Sequence, residues 1–247
     1  MRWTLMLSSL LLAPATALPA QAPRNGADLI ARMHDRYAGK WYRTLTFTQR
    51  TSRPGRPDQT WYEAARIPGM LRIDVAPVDS GNAFMFVGDS VHAFRGGQVR
   101  PARRDRNLLM TLGFDVYGQP AETTQAQLRA EGMDLSILRS DTWQGKPVWV
   151  VGAAPGDSTA NQFWVEKDRL LFVRLIQQVP TQSGKGVLEA QFNHYQPLGG
   201  GWIATSVIAL MNGKTVQEEE YSEIRADVAL PDSLYRTSAY TRPAWVR

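Results

Sequence analysis

The chain has 247 residues, 43% hydrophobic and 21% charged, with no cysteine. This is a globular composition, and it excludes disulfide scaffolds, cysteine-ligated zinc, iron–sulfur clusters, thiol nucleophiles and a lipid anchor on cysteine. The formal charge of +5 at pH 7 favours anionic neighbours without naming one.

Residues 1–22 begin with one positive side chain, Arg2, and run through Trp3, Leu5, Met6, Leu7, Leu10, Leu11 and Leu12 into small residues with no further charge. The pattern predicts a signal peptide cut after Ala17, with Ala22 as the latest site. As an uncleaved anchor the apolar run is too short, since spanning a bilayer takes roughly 20 residues. The mature chain is expected to be soluble outside the cytoplasm, with one domain over 23–247, which makes nucleic acid an implausible partner.

Asn25 stands where it can cap a helix, with Asp28 in the first turn and Leu29, Ile30, Met33 and Tyr37 on one face before Gly39. From Lys40 the period becomes two: Leu45 and Phe47 alternate with Thr44, Thr46 and Thr48. Strands are predicted over 60–67, 70–75, 82–87 and 90–94. Pro–Gly and Gly–Asp turns separate them, so they should form an antiparallel meander. Over 103–132 the strand pattern stops, and Leu108, Leu109 and Leu112, then 123–131, predict a helical insertion. Strands resume over 133–139, 148–151, 162–166, 170–177, 187–195, 202–210 and 215–224. No linker or repeat divides the chain, and βαβ crossovers are absent. The expected class is therefore mainly β, with a single curved antiparallel sheet of about eleven to twelve strands, an N-terminal helix and a helical lid.

Catalytic signatures are sparse. Asp89, Ser90 and His92 lie close in sequence, but they lack the final glycine of a nucleophile elbow and a following helix. A hydrolase centred on Ser90 and His92 is the weaker alternative, and no cofactor or metal is expected. His34 and His194 have no ligand-spaced partners. In Glu218-Glu219-Glu220 consecutive side chains point to opposite faces, so only Glu218 and Glu220 can be neighbours, on a solvated strand. Arg100, Arg103, Arg104 and Arg106 form a basic cluster suited to solvent, lipid phosphates or an acidic protein.

The chain carries 8 Trp, 8 Tyr and 8 Phe, many at alternating positions in a sheet that one helix cannot cover. A long twisted antiparallel sheet curls, and its concave face must be filled by its own side chains, by the insertion or by a ligand. The expected cavity wall is Leu45, Phe47, Tyr62, Leu71, Ile73, Phe84, Phe86 and Phe94, with Leu108, Leu109, Leu112 and Phe114 beneath the lid; the parity of Phe84 and Phe86 is open.

The order of features is also familiar. The strand ending Phe47-Thr-Gln49, the run Trp61-Tyr-Glu-Ala-Ala-Arg66-Ile-Pro68-Gly-Met-Leu-Arg72-Ile, Phe86-Val-Gly-Asp-Ser-Val91, Phe163-Trp-Val-Glu-Lys-Asp168, Leu171-Phe-Val-Arg-Leu175 and Leu230-Pro-Asp-Ser-Leu-Tyr235 together resemble the LolA/LolB-like periplasmic lipoprotein carriers and the wider outer-membrane lipoprotein-sorting family. The resemblance implies an incomplete β-barrel closed by a helical lid, and a periplasmic, non-enzymatic monomer. It also implies a cavity for the acyl chains of lipid or lipoprotein, with inner- or outer-membrane envelope proteins as partners. An envelope-stress sensor or protein-interaction module on the same fold is the alternative. In the carriers a strand-end arginine before a proline ties sheet to lid; Arg66 matches it, although Ile67 intervenes. Without a lipobox cysteine the chain is similar to the soluble carrier rather than to the anchored receptor.

Overall fold

The computed structural model describes residues 21–182 and 184–246; the signal-peptide reading lies outside them. Helix α1 (Gly26–Tyr37) begins where Asn25 accepts a hydrogen bond from the Asp28 amide at 2.9 Å, which satisfies one of the amides that a helix start leaves free. Leu29, Ile30, Met33 and Tyr37 are buried along one stripe.

The strands are β1 (Thr44–Arg53), β2 (Arg56–Arg66), β3 (Met70–Val75), β4 (Ala83–Val87), β5 (Ser90–Arg95), β6 (Gln98–Val99) and β7 (Arg103–Arg104), followed by a helical segment. That segment comprises α2 (Leu108–Met110), a wide π-type turn (Thr111–Asp115), α3 (Val116–Gly118) and α4 (Ala121–Ala130). Then come β8 (Leu138–Trp143), β9 (Lys146–Val151), β10 (Gln162–Glu166), β11 (Leu171–Thr181), β12 (Gly184–Leu198), β13 (Gly201–Met211) and β14 (Lys214–Ala226). Fourteen strands form one sheet, against the eleven to twelve expected. The surplus is the two-residue strands β6 and β7, too short to leave a periodic signal.

Two antiparallel meanders, β1 to β6 and β8 to β14, are joined by pairing of β1 with β14. Among the described residues no ladder links β6 or β7 to β8, so the sheet is an unclosed barrel. The helical segment leaves one edge and returns to the other, and it packs with α1 into a single core against the concave face. Register shifts interrupt the β1–β14, β1–β2, β10–β11 and β13–β14 ladders. Such bulges sharpen twist and bend the strands that carry them.

One expected strand is corrected. Residues 133–137 alternate apolar and polar side chains, yet they form a loop. Met133 and Leu135 are buried there, the Leu135 carbonyl accepts from the Gly26 amide at 2.8 Å, and Asp134 accepts from the Ser136 amide at 2.9 Å. Local side-chain bonding of this kind competes with a ladder.

Part of the convex face of the first meander is covered too. The chain beyond β14, including the 3₁₀ turn Asp232–Tyr235, crosses it like a strap. Leu234 and Tyr235 pack on Ala64, and Tyr240 on Phe94, Ala83 and Met85. Among the described residues no helix is long and apolar enough to cross a membrane.

Candidate functional site

Alternation along β1 to β4 sends Leu45, Phe47 and Gln49, then Trp61, Glu63 and Ala65, Leu71 and Ile73, and Phe84 and Phe86 to the concave side. Most of that surface is filled by the helical segment. A cavity of about 180 Å³ remains. Its roof is Asn107, Leu109, Met110 and Phe114; its apolar walls include Leu45, Phe47, Ala65, Leu71, Ile73, Phe86 and Phe192; at the remaining end stand Gln49, Glu63, Glu219 and Tyr221.

Seven of the residues singled out in the sequence line this cavity: Leu45, Phe47, Leu71, Ile73, Phe86, Leu109 and Phe114. Phe84 shares the concave face opposite Ile73 but stands outside the cavity lining, stacked under the Arg95 guanidinium at 4.8 Å. Leu108 and Leu112 are buried in the core that supports the roof without lining the space.

Three expectations are corrected by strand parity. Tyr62 lies between the inward Trp61 and Glu63, so it points out, into a polar groove of about 450 Å³ beside Trp245. Phe94 opposes Ala83 and packs under the strap. Arg66 also faces outward: it pairs with Asp232 at 2.6 Å and donates to the Leu230 carbonyl at 2.7 Å. It therefore ties the sheet to the strap and not to the lid.

The tie from sheet to lid is made elsewhere. The Gly69 amide donates to the Asp115 carboxyl at 3.0 Å. The Tyr117 hydroxyl accepts from the Phe172 amide at 3.0 Å, and its ring stacks on Trp41 with centroids 4.0 Å apart. Asp115 is buried, and loss of solvation raises its carboxyl to about 7 although the Gly69 hydrogen bond and the Arg106 charge oppose the rise. The roof before the π-type turn is held differently. Asn107 accepts from the Leu109 and Met110 amides at 3.1 Å each, which caps α2 internally, and the chain just before it is tied by the Asp105 amide to the Asp89 carbonyl at 2.8 Å and by Arg104 to Glu131 at 2.6 Å. Between the two parts, Gly113 lets the turn press on Phe192: a Cβ there would come within 2.8 Å of the ring.

The polar end was not legible. Glu63 is 5% exposed; burial, and then the nearby Glu219 carboxyl, push it well above the usual carboxylate range. Glu219 is raised by desolvation, while hydrogen bonds from Tyr221 and Gln217 pull it back. Of the three consecutive glutamates only this one turns inward; Glu220 faces out and pairs with Arg50 at 2.6 Å. Ser90 and His92 lie on the convex face, Ser90 Oγ donates to Asp89 at 3.4 Å, and no hydrogen bond joins Ser90 to His92 among the described residues.

No protein-family model and no curated protein matches the chain. Solved structures do. A LolA superfamily protein from Nitrosomonas europaea is 15% identical, with a TM-score of 0.51 over 85% of this chain and 97% of that one. A DUF1329 family protein from Desulfovibrio piger is 15% identical, with a TM-score of 0.52 over 85% and 95%. An outer membrane lipoprotein-sorting protein domain from Vibrio parahaemolyticus is 12% identical, with a TM-score of 0.54 over 85% and 95%. At these identities the likeness establishes the fold, which is LolA-like.

Proposed function

We propose that the protein is a periplasmic, monomeric, non-enzymatic carrier that shelters the acyl chains of lipid or lipoprotein between sheet and lid and exchanges them with envelope proteins. The observation that carries this reading is the cavity roofed by Leu109, Met110 and Phe114 over a wall of Leu45, Leu71 and Phe86, set in a LolA-like fold.

Burial of an alkyl chain is worth roughly 0.8 kcal/mol per CH₂, so about 16 carbons supply a gross ~13 kcal/mol before ordering costs. A rigid pocket could not release such a ligand readily. The space present, about 180 Å³, is below the roughly 300–1,000 Å³ of pockets that enclose a small molecule, so a full chain enters only as the roof lifts. The distribution of polar anchors leaves α2 free between two ties: Asp115 and Tyr117 hold the far side of the π-type turn to the sheet, the Asp105 amide donates to the Asp89 carbonyl at 2.8 Å on the near side, and among the described residues no hydrogen bond joins Leu108–Met110 to the sheet. The turn is the hinge.

Mass spectrometry of an organic extract of the native protein is expected to find lipid, and an uncharged fluorescent lipid probe is expected to bind. Leu109→Arg places a charge in the roof and should weaken probe binding at least about tenfold. Unchanged probe binding in this variant would overturn the carrier reading.

A further inference from the structure

The carrier reading uses the apolar walls and leaves the other end of the cavity without a purpose. Glu63 sits on β2 with Phe47 and Ile73 as its cross-strand partners and is 5% exposed. Among the described residues it has no hydrogen bond and no ion pair. Glu219 beside it accepts from the Tyr221 hydroxyl at 2.7 Å and from the Gln217 amide, both neutral donors. The one guanidinium in this neighbourhood, Arg53, donates to Gln217 at 2.8 Å and forms no salt bridge with either carboxyl.

Buried polar groups are nearly always partnered, and an exception that faces a cavity marks a missing partner. What is missing can be specified from what is there. The two carboxyls accept hydrogen bonds and repel negative charge, and Gln49 gives its amide to Thr51 at 2.8 Å. A group completing this set must donate, and positive charge on it would be compensated by the carboxyls. Burial holds Glu63 and Glu219 toward their neutral forms while the site is empty; an ammonium would favour their ionised forms, whereas a carboxylate or phosphate there could only oppose them in a medium that screens charge poorly.

Resting on the carrier reading, we infer that Glu63 and Glu219 form a head-group subsite that selects alkyl chains ending in an amine over chains ending in a carboxylate. The alkyl tail lies under Leu109 and Phe114, and the ammonium donates to Glu63 and Glu219.

The test is displacement of the uncharged lipid probe from the full chain by dodecylamine, dodecanol and dodecanoate at neutral pH and at concentrations below micelle formation. Dodecylamine should displace the probe at a concentration at least roughly tenfold lower than dodecanoate, with dodecanol between them. Glu63→Gln keeps the shape and removes the charge, and Glu219→Gln does the same for the second carboxyl. Each variant, checked for an intact melting transition, should shrink the ratio between amine and carboxylate. Equal displacement by amine and carboxylate, with dodecanol effective, overturns the subsite and leaves the carrier standing. Displacement by none of the three, in a protein that also fails to bind the probe, overturns both. An amine preference that survives both substitutions overturns the assignment to Glu63 and Glu219.

Discussion

Two sets of buried charged side chains lie on adjacent strands of the first meander, on opposite faces of the sheet, and they are treated differently. On the convex face Arg72 and Asp74, 0% and 1% exposed, make a two-pronged ion pair at 2.7 and 2.8 Å. The remaining Arg72 donors reach the Leu234 and Thr241 carbonyls of the strap, and the Tyr240 ring lies 5.3 Å from the guanidinium. On the concave face Glu63 has no hydrogen bond and no ion pair among the described residues. A buried charge that is fully partnered fixes structure, because removal of one member strands the other. A buried acid without a partner, facing open space, costs stability, and the proposed head-group subsite assigns that cost to a ligand. The difference separates the part of the molecule that holds shape from the part that the proposed carrier role gives to a ligand.

The sharpest way to break this contrast is to remove one member of each set. Arg72→Ala leaves Asp74 as an uncompensated buried carboxylate and detaches the strap, so chemical denaturation should show a loss of about 3–5 kcal/mol. A loss under about 1 kcal/mol would mean the strap contributes little. Asp115 comes next. Its folded pKa, about 7, stands above the ordinary aspartate value of 3.8, so the folded state binds the proton more tightly than the unfolded state does. Its contribution is complete below about pH 4 and is lost as pH rises toward 7, by an amount on the order of 4 kcal/mol. Asp115→Asn retains an oxygen for the Gly69 amide and should flatten that part of the profile; an unaltered slope in melting experiments across this range would remove Asp115 from the account. For the concave set the sign reverses. Glu63→Leu replaces an unsatisfied acid by an apolar group of similar size, and at neutral pH it should stabilise the protein by roughly 1–3 kcal/mol, whereas Asp74→Leu should destabilise it. If both variants destabilise, the contrast is wrong. The smallest effect belongs to the exposed Arg50 and Glu220 pair: Glu220→Gln should change stability by no more than about 1 kcal/mol.

How much of this was readable in advance depended on whether one face of an element was wet. Helix α1 shows its stripe plainly, from Leu29 to Tyr37, and β1 alternates threonine with Leu45 and Phe47, so both were placed correctly. The strands at 70–75 and 162–166 fall at their expected bounds because turns flank them. In β2 the run Trp61-Tyr62-Glu63-Ala64-Ala65 has large or small apolar groups on both sides, because the strap dries the convex face as the lid dries the concave one. Periodicity could not choose between Tyr62 and its neighbours, and glutamate reads by default as a solvent-facing residue. Phe94 was misplaced for the same reason. Pairing of β1 with β14 joins segments about as far apart in the chain as any two strands can be, and no local pattern reports such a contact. The LolA-like fold was nonetheless recognisable from the order of its motifs, whereas the acidic end of the cavity, which that order does not include, was not.

The seam between β1 and β14 has a consequence for how the molecule comes into being. Until the second meander is in place, the earlier strands have neither their neighbour across the seam nor the strap that shields their back, and long-range pairing of this kind forms late and slowly. The concave face is therefore complete only once both meanders and the strap have come together.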